Sequence, residues 1–209
     1  PRSASAVARG VWPGIGLDDE IVLWGGGLWD WLDPVTLVEA AALLRDRDRL
    51  RALFLAGRVP SPGVGPMAAG DRARARSDEL GLTGRRVVFR DEWIAYDSRG
   101  GLLLEADVGA SLHLPHIESR YAYRTRLLDC FWAGLPVVVT GGDVLSDLVA
   151  RRGLGRVVAP TDARAVASAL REMLDLPGGK DALADRFDPV RSELSWRRVV
   201  APLAAWLRE

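Results

Sequence analysis

Residues 118–140 read ESRYAYRTRLLDCFWAGLPVVVT, and the reading of this run decides the fold. It opens as a polar loop, passes into a helix with Arg124 and Arg126 at its front, and ends at Gly134-Leu135-Pro136 before a run of valines. Within an alternating α/β chain, a loop-helix-strand passage of this kind places a helix N-terminus at the carboxyl edge of a sheet. Anionic ligands bind there.

The alternation extends on both sides of that run. Ile21–Trp24 is an apolar stretch stopped by Gly25-Gly26-Gly27, which reads as a buried strand ending in a tight turn. Asp33-Pro34 supplies an N-cap and a proline at the first helical position for a helix over Val35–Leu44. Leu53–Leu55 is the second strand, Arg58–Gly70 a long Pro/Gly-rich loop, and Asp71–Leu80 a helix ended by Gly81. Val87–Phe89 is the third strand, Asp97 caps a short helix through Leu104, and Val108–Leu114 is the fourth strand. Beyond Thr140 come a helix over Val144–Ala150, a strand over Arg156–Ala159 and a helix capped at Thr161 or Asp162. The tail carries Leu194, Trp196, Val199, Val200, Leu203 and Trp206 at mostly helical spacing.

Strands alternating with helices in this way predict right-handed βαβ units. The fold class is α/β: a Rossmann-like parallel sheet with helices on both faces. One such domain is expected over residues 21–209, after an N-terminal segment or linker of residues 1–20 and ending in a helix over residues 192–207.

Composition narrows the function. The 209 residues are 48% hydrophobic, enough for one substantial core. Lys+Arg and Asp+Glu both number 28, so no global field draws nucleic acid or anionic lipid and any anion site must be local. Lys180 is the single lysine, and an arginine therefore carries meaning only through its position. The lone Cys130 excludes an internal disulfide and agrees with a reducing compartment. No run approaches the roughly 20 apolar residues of a membrane span, and no signal peptide is visible. A cytoplasmic protein is expected, cut from something longer.

Within the anion site, Arg124 and Arg126 are expected in the first turn of the helix, where a cation opposes the helix dipole. A bound diphosphate pairing with both guanidinium groups would offset that conflict, while ion pairs to Asp129 and Glu118 or exposure to solvent are the plainer alternatives. Glu118 and Asp129 flank the site, and carboxylates suit the hydroxyls of a ribose or hexose. Gly25, Gly26 and Gly27 either let backbone N–H groups approach a phosphate or sugar or simply make a tight turn. Position 30 is Asp30 where a dinucleotide fingerprint wants glycine, and no GK[ST] follows the glycines, so nicotinamide binding is disfavoured and a P-loop is absent. Trp93 either stacks on a base or packs in the core, and Trp29 and Trp31 either face a sugar or pack on the helix. His113 and His116 have no cysteine or carboxylate cluster beside them, so no metal site is expected. Asp46-Arg47-Asp48 reads as a solvated face.

With DCFWAGLPVVVT at its centre, the run resembles the donor-binding segment of GT-B glycosyltransferases of the large retaining family four, also called group one. Asp129, five residues before Gly134, matches the acidic residue that precedes the small-Gly-Leu-Pro-Val-Val segment, and the resemblance implies that it contacts the nucleotide ribose. Val87–Asp107 resembles the corresponding family stretch, and the likeness covers about residues 21–175. The sequence departs from the family in two places. The earlier acid of the pair would fall at Tyr121, with Glu118 further upstream, and Gly25–Asp33 contains neither the Arg nor the Lys that holds the diphosphate. Arg124 and Arg126 are expected to supply that charge from the opposite loop.

The resemblance implies the donor-binding domain of a retaining, metal-independent glycosyltransferase that moves a sugar from a nucleotide diphosphate-sugar to an unknown acceptor. A non-catalytic nucleotide- or sugar-binding module of the same fold is the alternative. The expected catalytic residues are Glu118, Arg124 and Arg126. Expected at the donor are Gly25, Gly26, Gly27, Asp30, Trp93, Arg124, Arg126, Leu127 and Asp129. No cofactor is expected. The expected partners are the nucleotide-sugar and a missing N-terminal acceptor domain, with no nucleic acid and no transmembrane segment, though the full enzyme could touch a membrane peripherally.

Overall fold

The computed structural model describes residues 6–56 and 67–208. Six parallel strands form one sheet: β1 (Glu20–Trp24), β2 (Leu50–Leu55), β3 (Val87–Arg90), β4 (Val108–Ser111), β5 (Val137–Thr140) and β6 (Gly155–Val158). Their order is β3-β2-β1-β4-β5-β6, so the winding reverses between β1 and β4, which pair through Val22 with Val108 and Leu23 with Gly109. This is the doubly wound arrangement expected from the alternation, and its reversal point opens a crevice outside the carboxyl ends of β1 and β4.

The two-residue period of a strand divides the core. Val22 and Trp24 point to a face covered by α1 (Pro34–Leu43), α2 (Ala68–Glu79) and α7 (Ala163–Leu174). Ile21 and Leu23 point to the other, covered by α3 (Tyr96–Glu105), α5 (Thr125–Ala133), α6 (Val144–Arg152) and α8 (Ala184–Glu193). A short helix, α4 (Ile117–Tyr121), precedes α5, and α9 (Trp196–Trp206) ends the described chain.

Local chemistry fixes the helix starts. The Asp33 carboxylate accepts the Thr36 N–H at 3.1 Å ahead of Pro34, Asp143 caps α6 with Ser146 in a reciprocal box, and Asp162 accepts from Ala165 at 2.9 Å. Gly134 ends α5 in the left-handed conformation with φ 68°.

Several expectations need correction. Asp97 lies inside the first turn of α3, whose N-cap is Ala95 with no side-chain cap. β4 stops at Ser111 because Leu112 to Leu114 turn to the β1–α1 loop, where His113 bridges Leu32 antiparallel and Leu114 N–H reaches Trp31 O at 3.2 Å. Helix α2 begins at Ala68, and the part of the Arg58–Gly70 loop over residues 58–66 lies outside the described residues. The tail helix over residues 192–207 is two elements, since α8 closes at Leu194 and α9 starts after Ser195.

The segment before residue 20, expected as a linker, packs on the domain. Ala8 and Ile15 are buried, and the Glu105 carboxylate accepts the N–H groups of Val7, Ala8 and Arg9. Helix α9 is the opposite case: Trp196, Val199, Leu203 and Trp206 share one stripe and all are exposed. Among the described residues, no helix is long and apolar enough to cross a membrane.

Candidate donor site

The crevice at the winding reversal is built from Gly25–Gly27 after β1, the turn Leu112–Leu114 after β4, and the front of α5. In contrast to α1, α6 and α7, helix α5 has no side-chain cap: its N-cap is Arg124, whose side chain cannot accept a hydrogen bond. The sequence therefore places N–H groups at the crevice without supplying a side-chain acceptor for them.

The two arginines at this front behave differently. Arg124 is buried, its guanidinium paired at 2.6 Å with the equally buried Asp143 carboxylate and donating to Ser111 O at 3.2 Å. It ties α5 to the ends of β4 and β5, and it does not present its charge to the crevice. The cation expected at the diphosphate is thus already paired with Asp143. Arg126 has no carboxylate partner among the described residues. Its guanidinium carbon lies 3.4 Å from where a Cβ at Gly26 would sit and 5.7 Å from the Trp24 ring centroid, and its Nη1 is buried without a hydrogen-bond partner. Gly26 thus gives the arginine its berth, and burial, together with the nearby Arg124 charge, brings its pKa down to about 10.

The remaining expected residues separate. Leu127, expected at the donor, is 1% exposed in the core, and its N–H is given to Arg124 O at 2.8 Å. Asp30, expected at the donor, accepts the Ala69 N–H at the start of α2 at 2.7 Å. Asp129 is half-exposed on α5 and holds Arg99 of α3 at 3.3 Å. Trp93 is 60% exposed after β3, in a shallow hollow with Trp12, Ile94 and Ser98. It is surface rather than core. A Cβ at Gly25 would meet the Leu23 side chain at 3.9 Å, and one at Gly27 would meet the Trp29 indole nitrogen at 3.1 Å. Trp29 and Trp31 stack at 5.4 Å.

Glu118 projects from α4 into a hollow of about 440 Å³ that it shares with Trp31, His113, Ser119 and Tyr121. His113 lines the same hollow. It is 5% exposed, its backbone N–H is held by Thr140 Oγ1 at 3.0 Å, and its Nδ1 has no partner. Burial, then the charges of Arg124 and Arg126, drive its pKa down to about 3, so the ring is neutral. No group of three candidate metal ligands occurs among the described residues.

Comparisons with known proteins place this geometry. No protein-family model matches the sequence, and no curated protein matches it. Solved structures do. Sucrose-phosphate synthase from Thermosynechococcus elongatus superposes with a TM-score of 0.72 at 22% identity, covering 91% of this chain and 45% of that one. Anabaena HepE, solved in complex with UDP and glucose, gives 0.68 at 15% identity, covering 92% and 49%. The C-terminal domain of the group 1 glycosyl transferase LpcC from Francisella tularensis gives 0.66 at 12% identity, covering 84% and 85%. The chain has the fold of one half of a GT-B glycosyltransferase, and it spans about half the length of the first two proteins.

Proposed function

We propose that this chain is the nucleotide-sugar-binding half of a retaining glycosyltransferase. The observation that carries the reading is Arg126: a half-buried arginine whose Nη1 is buried without a hydrogen-bond partner, with no carboxylate partner among the described residues, against the Gly26 backbone, at a helix N-terminus without a side-chain cap in the crevice where the winding reverses. A diphosphate supplies what that arrangement lacks, two negative groups for one cation and several N–H donors. The bland alternative, an exposed arginine trailing into solvent, does not fit its burial.

In this reading the diphosphate lies across the carboxyl edge of the sheet. The bond between the anomeric carbon and the phosphate oxygen breaks as a hydroxyl oxygen of the acceptor bonds to that carbon on the same face; the electron pair leaves with the diphosphate, whose oxygen takes up the hydroxyl proton. Arg126 and the first-turn N–H groups of α5 stabilise that growing charge, which is the electrostatic route to rate. Asp129, released from Arg99, accepts hydrogen bonds from the ribose hydroxyls, and Trp93 offers its exposed face to the base. Glu118 faces the sugar. Arg124 and Asp143 hold the helix that carries these groups. No metal takes part, since Arg126 supplies the cation that a metal would.

The acceptor belongs to a second domain. Supporting this are the length of the chain relative to the proteins it superposes on and the apolar stripe of α9, which two tryptophans and two aliphatic residues leave open to water. We assign that stripe to the contact with the second domain, and the whole enzyme to the cytoplasm.

Calorimetric titration with UDP, GDP, dTDP and NADH tests the reading. One nucleoside diphosphate should bind and NADH should not. Tight NADH binding with no response to the diphosphates would overturn it, and sugar transfer by the complete enzyme separates catalysis from mere binding.

A further inference from the structure

His113 lines the crevice and is 5% exposed. Three elements fix its backbone: it follows β4, its N–H is held by Thr140 at the end of β5, and it bridges Leu32 in the β1–α1 loop. Neighbouring bonds from Asp33 N–H to Leu112 O at 3.0 Å and from Leu114 N–H to Trp31 O at 3.2 Å clamp both sides. The residue forms part of the wall of the Glu118 hollow, and its Nδ1 is buried without a hydrogen bond. A buried polar atom left unpaired is costly and rare, so a group held this rigidly and left unsatisfied marks a place for a ligand.

The chemistry around it selects the ligand. Trp31 and Tyr121 offer exposed aromatic surface, Glu118 a carboxylate, and Ser119 already spends its hydroxyl on Leu114 O at 3.0 Å. A carboxylate in the wall repels a phosphate, and one carboxylate with one imidazole is too few for a metal. A ring that is apolar on its faces and carries hydroxyls at its edge satisfies every group. We propose that His113 hydrogen-bonds a hydroxyl of the sugar carried by the donor and so helps to determine which sugar the protein accepts.

The inference rests on the donor-binding reading above and adds the sugar's partner to it. A neutral imidazole both donates and accepts, as a hydroxyl does, whereas an imidazolium could only donate. Arg124, Arg126 and burial keep the ring in the useful form. His113 is thus assigned to the sugar, and Arg126 to the diphosphate.

The test compares ligands with and without the sugar. The protein and its His113→Phe variant are titrated with UDP and UDP-glucose, GDP and GDP-mannose, and dTDP and dTDP-glucose. For the pair that binds, the variant should keep its affinity for the diphosphate and lose about tenfold for the sugar conjugate, the size of one buried hydrogen bond. Equal losses for both ligands would put His113 on the diphosphate, and unchanged affinities would remove it from the site; either result overturns the proposal. If no nucleotide binds the unaltered protein, the donor-binding reading itself fails and the sugar assignment falls with it. Should the variant not fold, ¹⁵N-histidine labelling gives the same decision in the unaltered protein, which has two histidines. The His113 ring nitrogens should shift on adding the conjugate and not on adding the diphosphate; the reverse pattern, or no shift with either, would overturn the proposal.

Discussion

The two edges of the sheet are both rich in arginine, and they treat it oppositely. At the amino edge, Arg47 is shared between Glu20 at 2.7 Å and Asp175 at 2.6 Å, Arg51 meets Asp19 at 3.0 Å, and Arg86 caps the carbonyls of Leu44 and Arg45. Lys180 is spent likewise on Ala106 O at 2.7 Å. At the carboxyl edge, Ser111 Oγ, His113 Nδ1, Arg124 Nε and Arg126 Nη1 are buried without a hydrogen-bond partner. Among the described residues, every buried side-chain nitrogen or oxygen in that condition lies at this edge. The amino edge even contains the roomier hollow, about 880 Å³, walled by Asp19, Arg51 and Arg86. Size therefore does not identify the site. Unmet polar demand is what supports the proposed site, because a fold leaves such groups unpaired at a cost that a function can offset.

The contrast can be broken in several ways. The largest effect should come from Asp143→Ala, which strands the buried Arg124 cation and uncaps α6; urea unfolding should show a loss of about 3–5 kcal/mol. A loss below 1 kcal/mol would mean that Arg124 is not held as described. Next, Arg126→Ala should weaken nucleoside diphosphate binding by about a hundredfold, as expected for charge-assisted bonds, with no loss of stability. A destabilised variant that still binds would assign Arg126 to structure and erase the difference between the edges.

Acid provides the third test. His113 has a folded pKa of about 3 against an ordinary 6.5. As pH falls through 6.5 the unfolded chain takes up a proton that the folded one refuses, between Arg124 and Arg126 and despite Glu118 across the hollow. Stability should therefore decline as pH falls from 6.5 towards 3, by about 2 kcal/mol at pH 5 relative to neutrality. His113→Asn should flatten that slope, measured by denaturation at a series of pH values. The smallest effect is expected at the amino edge: Arg47→Met should cost about 1 kcal/mol and leave nucleotide binding unchanged. Any loss of affinity there would show that the edges are coupled.

Much of the fold is written locally. Asp33-Pro34, Gly81, Gly134 and the valines of β5 announce their elements with neighbours only a few positions away, and each was legible for that reason. The division of labour between Arg124 and Arg126 was not. Nothing near Arg124 in sequence foretells Asp143, which arrives from the far side of β5. The burial of Leu127 and the bond from the Ala69 N–H to Asp30 were not legible for a related reason, since the facing of a helix and the reach of Asp30 to α2 are settled by tertiary packing. His113 carried no signal of its own beyond lying at the end of a strand. Its two-residue extension past β4 could be recognised only once Leu32 and Thr140 were seen on either side.

Trp24 is fully buried beneath Arg126, 5.7 Å from ring centroid to guanidinium carbon. The excited state of an indole is more dipolar than its ground state, so the colour of its emission follows the electric field across the ring. An anion that neutralises the overlying cation changes that field even if no atom of the floor moves. The crevice thus contains its own optical reporter: a difference emission spectrum against Trp24→Phe should isolate one shifting band on diphosphate binding, without any attached dye.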